Sequence, residues 1–214
     1  MAGKIIAVAQ QKGGAGKTTL AAHLAVCFGV SDGGNVALID VDPQGSIGNW
    51  LEARENILGE DQTGLEFRTA SAWGARREAE RLARNHDYVI VDTPPNAEQE
   101  ARPAIAAASL VVVPVQPTPI DLWATQSTLD MAAAENVPAV LVLNRVPPRA
   151  NLTVEIADAA KNLYGDIAKT RLGNRVAFAV SIGRGLTVGE TEPRSTAAAE
   201  IEALYKELNR RILP

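Results

Sequence analysis

Apolar residues fall in short unbroken runs at Ile5–Ala9, Val36–Asp40, Tyr88–Asp92, Leu110–Val115 and Ala139–Leu143. A strand with one wet face alternates apolar and polar positions. These runs do not alternate, so they read as strands buried on both faces. Two weaker runs, Leu65–Ala70 and Val176–Val180, are further strand candidates. Between the runs, apolar positions recur at helical spacing over Lys17–Val30, Ile47–Ile57, Gly74–Asn85, Pro103–Ala108, Asp121–Glu135, Leu152–Tyr164 and Ser195–Ile212. Alternation of buried strands with helices predicts βαβ units with right-handed crossovers. The expected fold is therefore α/β: a doubly wound, mostly parallel sheet with helices on both faces. Breakers stand where that scheme turns, at Ser31–Asn35, Pro94-Pro95 and Pro147-Pro148. No repeat or linker interrupts the order, so residues 1–214 read as one domain.

Composition narrows the picture. Hydrophobic residues at 46% and charged residues at 21% suit a globular core and argue against disorder. Cys27 is the only cysteine, which excludes a disulfide framework and a thiolate cluster; it reads as a small apolar helix residue. The isolated His23 and His86 have no second ligand nearby in sequence, and Trp50, Trp73 and Trp123 read as packing residues. No run approaches the ~18 apolar residues of a membrane span, and the first apolar run is too short for a secretory signal. A cytoplasmic protein is expected. Net charge is −4, but unevenly placed: from Arg145 onward 11 Lys+Arg face 8 Asp+Glu, whereas the preceding residues hold 10 against 17. A basic patch in the last third is therefore possible on an acidic body.

The candidate chemistry begins directly after the first strand. Gln11-Lys12-Gly13-Gly14-Ala15-Gly16-Lys17-Thr18-Thr19 leads into the first long helix. Glycines let successive backbone N–H groups close on phosphate oxygens, and a helix start adds unpaired N–H groups and a positive dipole end. Gly13, Gly14, Ala15 and Gly16 would cradle a nucleotide's phosphates, Lys17 would bridge the terminal ones, Thr18 would hold Mg²⁺ and Thr19 would touch the α-phosphate. An ordinary loop of this kind has glycine where Gln11 stands, and lacks Lys12.

Acids at strand ends complete a magnesium nucleotide site, because carboxyl ends of parallel strands line the ligand crevice. Asp40 ends the second strong run with Asp42 just outside it, and Asp92 ends the third. By reach, Asp92 would sit beside Mg²⁺ through water, Asp42 would orient the attacking water, and Asp40 would support the Mg²⁺ shell or the loop.

The loop, together with Asp40-Val41-Asp42-Pro43-Gln44 and Val91-Asp92-Thr93-Pro94-Pro95, resembles the ParA/MinD family of partition and positioning ATPases. The resemblance extends through Pro114–Asp121 and looks closest to the short ParA type, without an N-terminal DNA-binding extension. It implies ATP and Mg²⁺ as cofactors and a homodimer that sandwiches two ATP molecules, with Lys12 reaching the partner's phosphates. It also implies non-specific DNA (nucleoid) binding by the ATP-bound dimer, and an adaptor or ParB-like protein that stimulates slow hydrolysis. Pro117, Thr118, Pro119 and Asp121 would belong to the dimer face, although Asp121 also reads as a helix N-terminal acid. The guanine-reading acid of related GTPases is missing from Leu143-Asn144-Arg145-Val146-Pro147. Asn144 can bond an adenine edge or simply serve as a strand-end turn residue.

Three outputs compete. DNA phosphates would be met by Arg149, Lys169, Arg171, Arg175, Arg184, Arg194, Arg210 and Arg211. A membrane, as in MinD-like relatives, would need a basic amphipathic tail, yet the last helix carries Glu200, Glu202 and Glu207 on its polar face, so no membrane contact is expected. A nucleotide-gated protein scaffold is the third.

Overall fold

Continuous apolar runs become strands covered on both sides. The computed structural model describes residues 2–95, 98–148, 161 and 165–212. The strands are β1 (Lys4–Val8), β2 (Val36–Asp40), β3 (Glu66–Thr69), β4 (Tyr88–Asp92), β5 (Leu110–Val115) and β6 (Ala139–Leu143). They form one sheet in the order β3-β2-β4-β1-β5-β6, and every pairing is parallel. The order reverses direction at β1, so a crevice opens beyond its carboxyl end, where the glycine loop emerges.

Helices α1 (Lys17–Asp32), α2 (Ser46–Leu58), α3 (Ala75–Leu82), α4 (Glu98–Ala107), α5 (Pro119–Trp123) and α6 (Gln126–Ala134) alternate with the strands. Near the carboxyl end come α7 (Val176–Gly183), α8 (Val188–Thr191) and α9 (Thr196–Ile212). Period-two geometry splits each strand between two layers. Ile6, Val8, Leu38 and Ile90 pack with Leu24 and Phe28 of α1 and with Leu204 and Leu208 of α9. Their neighbours Ile5, Ile39, Val89 and Val91 pack with Ala79 and Leu82 of α3 on the opposite face. The doubly wound α/β layout expected from the runs is the one observed.

Three local expectations are corrected. Val176–Val180 is helical, not a strand. The open edge of β6 is already taken: Leu141 pairs with Ile167 and, beyond the strand, Val146 with Gly173. With that ladder occupied, the β-branched run closes its hydrogen bonds internally. The helix expected from Pro103 begins at Glu98. Pro103 removes one backbone bond, but burial of Ala101, Ala104 and Ile105 holds the turns on both sides. Asp121–Glu135 is two helices, broken near Thr125, whose hydroxyl donates to the Asp121 carbonyl at 2.8 Å. The tryptophans also divide. Trp50 is buried, whereas Trp73 and Trp123 are 83% and 69% exposed, because both sit on single-turn elements that face outward. The helix expected over Leu152–Tyr164 falls outside the described residues apart from Lys161.

His23 ties the start of α1 to the carboxyl-terminal helices. Its Nδ1 lies 2.8 Å from the Thr19 carbonyl, and the Val188 backbone N–H donates to Nε2 at 3.2 Å. A neutral ring protonated on Nδ1 satisfies both partners. Phe178 meets the ring edge-on at 5.3 Å. Burial pushes the imidazole pKa down to about 4. The unfolded chain therefore binds the extra proton between about pH 6.5 and 4, and His23's contribution, full above pH 6.5, is lost as pH falls through that window. Between pH 7.5 and pH 5, wild type should lose about 2 kcal/mol more stability than His23→Gln, as an upper estimate. Urea denaturation at the two pH values measures this; equal losses would contradict the assignment.

Candidate nucleotide site

Parallel register sets the first feature. Asp40 and Asp92 are direct partners across β2 and β4, and Val8, the last residue of β1, pairs with Asp92. Two carboxylates thus stand side by side where the glycine loop leaves the sheet. Asp92 is 1% exposed, and neither of its carboxylate oxygens meets a partner at good hydrogen-bond geometry, although the Thr18 hydroxyl lies close by. Burial pushes its pKa up to about 7; the nearby Asp40 charge adds to the rise, while the Thr18 hydroxyl and Lys17 oppose it. Asp40 is raised by burial too, and its Oδ1 accepts the Asp42 backbone N–H at 2.9 Å, while Oδ2 is unpartnered. Asp42 stands half-buried outside them, its Oδ1 fixed by the Gln44 N–H at 2.9 Å.

The loop supplies the opposing charge. Gly16 precedes α1 in the left-handed region at φ 91°, and no side chain caps the helix. Its first N–H groups are therefore available to an anion. A side chain at Gly16 would also put its Cβ 2.5 Å from Asn144 Nδ2, so both conformation and space require glycine. Lys17 is buried, which lowers its pKa, and the Asp92 and Asp42 carboxylates pull it back up. Lys17, Thr18, Asp40, Asp42 and Asp92 thus converge.

Other elements hold the loop in place. Asn144 Nδ2 donates to the Ala15 carbonyl at 2.8 Å, and its Oδ1 accepts the Arg145 N–H. Gln116 Nε2 donates to the Gly14 carbonyl at 3.2 Å. Gln10 Oε1 accepts the Lys12 N–H at 3.3 Å, while Gln10 Nε2 donates to Thr125 Oγ1 at 3.0 Å. Gln11 N–H donates to Thr128 Oγ1. Lys12 stands apart from the convergent group: its Nζ is 2.5 Å from Asp121 Oδ1.

Beside Thr19 and Gly16 opens a pocket of about 280 Å³, lined by His23, Asn144, Arg145, Asn174, Arg175 and Phe178 among others. It has the mixed apolar and amide lining that suits a nucleoside. Arg145 holds φ 53°, rare for a residue with a side chain. Neither Gln116 nor Arg145 was singled out by motif. A non-glycine in the left-handed region leaves no sequence mark, and Gln116 sits in a proline-rich stretch that only the fold brings to Gly14.

Whether the site fits a metal can be tested on its donors. Three buried carboxylate oxygens, on Asp92 and Asp40, are orphaned, and a buried orphan is costly unless an ion or water completes it. Among the described residues, no three His, Cys, Asp or Glu side chains converge to hold a metal by themselves. All-oxygen donors with too few protein ligands match Mg²⁺ arriving with phosphate oxygens; Thr18, Asp40 and Asp92 would be the protein side of its shell. Such an ion would supply charge neutralisation on the terminal phosphates.

A model of the CobQ/CobB/MinD/ParA nucleotide-binding domain matches residues 6–188. The chain belongs to that family. It is 30% identical to the Halothiobacillus neapolitanus maintenance of carboxysome distribution protein A, over 95% of each chain. It is 26% identical to the Bacillus subtilis sporulation initiation inhibitor protein Soj, over 96% of this chain and 98% of that one. The septum site-determining protein MinD of Pyrococcus horikoshii, solved with Mg-ADP, superposes with a TM-score of 0.81 at 18% identity, covering 97% of this chain and 96% of that one. The chain is a ParA/MinD-type ATPase.

The expected DNA-facing residues differ in what holds them. Arg175 pairs with Glu200 at 2.6 Å, and Arg211 with Asp166 and Glu207. Arg210 Nε donates to the Lys206 carbonyl. Lys169, Arg171, Arg184 and Arg194 are exposed, and Arg149 lies outside the described residues.

The raised Asp92 pKa gives a pH prediction. Mg²⁺ needs the carboxylate ionised, so Mg²⁺-dependent nucleotide affinity should rise roughly tenfold from pH 6 to pH 8. Titration with a fluorescent nucleotide, with and without Mg²⁺, reads the slope. Asp92→Asn should flatten it; an unchanged slope in that variant would assign the proton elsewhere.

Proposed function

We propose that this chain is an ATP-dependent, dimerising ATPase that partitions or positions DNA or protein cargo. In this reading the ATP-bound dimer binds non-specific DNA, and a partner protein stimulates slow hydrolysis. The observation that carries it is the divergence of the loop's two lysines. Lys17 sits among Asp92 and Asp42 and serves the nucleotide of its own chain. Lys12 is drawn to Asp121, after β5 and so across β1 from the acids of β2 and β4. From there it is placed to meet phosphates brought by a second copy, offsetting charge on the transferring phosphoryl group as an arginine finger does. The exposed Ile120 and Trp123 beside it give that copy an apolar face. ATP and Mg²⁺ are supported by the orphaned carboxylates and by the Mg-ADP held in the structurally similar MinD. Asn144, bonded to the loop and lining the nucleoside pocket, has a second Nδ2 proton to offer a base edge. Asp42 orients the attacking water.

DNA is favoured over membrane as the second ligand. The apolar stripe of α9, including Ile201, Leu204, Tyr205, Leu208 and Ile212, is buried in the core. It is not free to lie on lipid. No helix among the described residues is long and apolar enough to cross a membrane. Lys169, Arg171, Arg184, Arg194 and Arg210 are exposed cations open to phosphate contact, and relatives named for carboxysome distribution and for chromosome partitioning leave both kinds of cargo in view.

Two variants test the catalytic roles. Lys12→Ala and Asp42→Ala should each keep ATP affinity within about twofold and lower single-turnover hydrolysis about 100-fold. Normal turnover in either would remove that residue from the mechanism. DNA retention in a gel shift should require ATP and weaken steeply between about 50 and 200 mM salt. Retention on anionic liposomes and not on DNA would reverse the choice of surface.

A further inference from the structure

Asp121 is the buried acid that the nucleotide chemistry leaves unused. It is 5% exposed, and all of its polar groups are committed. Oδ1 receives the Lys12 ammonium at 2.5 Å, and Oδ2 accepts the Thr118 hydroxyl. Its backbone N–H donates to Thr118 Oγ1 at 3.2 Å, and its carbonyl accepts the Thr125 hydroxyl at 2.8 Å. The carboxylate is thus held by Thr118 on one oxygen and Lys12 on the other, while Thr125 anchors the residue's backbone. Lys12, by contrast, keeps 36% of its side chain exposed. An ammonium has three donors; one is spent on Asp121 and two remain for another acceptor.

We propose that Asp121 is the positioning residue for Lys12, holding the ammonium on the β5 side of the loop and presenting its free N–H groups to an anionic phosphate from a second copy. The proposal rests on the reading of Lys12 given above. Two physical points favour presentation over a parked, inactive lysine. A carboxylate this buried is strongly destabilised when its cation leaves, so the pair is retained while the other donors engage phosphate. The Lys12 backbone is pinned as well, through Gln10 and Thr125, so the stem has a fixed origin and its tip a fixed anchor. A long, flexible side chain held at both ends reaches the same point each time, which is what charge stabilisation of a transition state requires.

The test is turnover of Asp121→Asn, near-isosteric and able to keep the Thr118 bond. Single-turnover hydrolysis should fall about tenfold or more, with nucleotide affinity unchanged within about twofold. Lys12→Ala combined with Asp121→Asn should be no slower than Lys12→Ala alone, because both act through one group. Thr118→Val keeps the charge and frees the second oxygen. It should lower turnover about threefold, with Thr118→Ser restoring it, and it serves where Asp121→Asn does not fold. Wild-type or faster turnover in folded Asp121→Asn or Thr118→Val overturns the proposal. If Lys12→Ala itself hydrolyses normally, the reading of Lys12 has failed; if only the Asp121 and Thr118 variants do, that reading stands and the positioning role falls.

Discussion

Asp40 and Asp92 sit side by side at the ends of adjacent strands, buried, with three oxygens between them that no partner among the described residues meets at good hydrogen-bond geometry. Protein interiors rarely hold such groups, because an unpaired buried acid costs several kcal/mol unless it takes up a proton or a cation. Lys17 answers part of that charge, and the rest is left for an ion that brings its own ligands. The electrostatic incompleteness is therefore built into the fold. The parallel register of β2, β4 and β1 puts the acids and the loop together, and none of the three can shift without separating them.

A flexible glycine loop would waste that arrangement, and here it is held on one flank by side chains from distant parts of the chain. Asn144 and Gln116 fix its carbonyls, Thr128 and Gln10 accept from its amides with Gln10 itself held by Thr125, and Asp121 fixes the tip of Lys12. Apart from Gln10, which follows β1, these contacts come from the β5–β6 side, opposite the acids. The loop thus separates a metal side, where Lys17 points, from an outer side, where Lys12 points. Hydrolysis that depends on a second copy follows from this division if Lys12 cannot serve its own nucleotide.

Much of this was legible from residues alone, for local reasons. Five continuous apolar runs and the glycine loop announce themselves within a dozen residues each, and carboxylates at strand ends follow from the runs. Features set by distant packing were not legible. Val176–Gly183 has strand composition but is helical because residues 167 and 173 already occupy the edge beside β6. Glu98–Ala107 contains a proline that suggests a start, and burial on either side overrides it. Asn144 read as a base contact or a turn residue; its amide is bonded to Ala15, a contact across 129 residues of sequence. Asp121 carried a helix-terminus signal that hid its partner.

The central claim is that Lys12 acts on the nucleotide of a second copy, and subunit mixing tests it most directly. Lys12→Ala and Asp42→Ala, each inactive alone, should regain hydrolysis on mixing in equal amounts. In a mixed dimer the Lys12→Ala subunit keeps its own Asp42 and receives Lys12 from its partner. Half the dimers are mixed and each holds one intact site, so the rate should recover to roughly a quarter of wild type. If Lys12 serves its own nucleotide, every site in the mixture lacks one of the two residues, and no recovery would contradict the account.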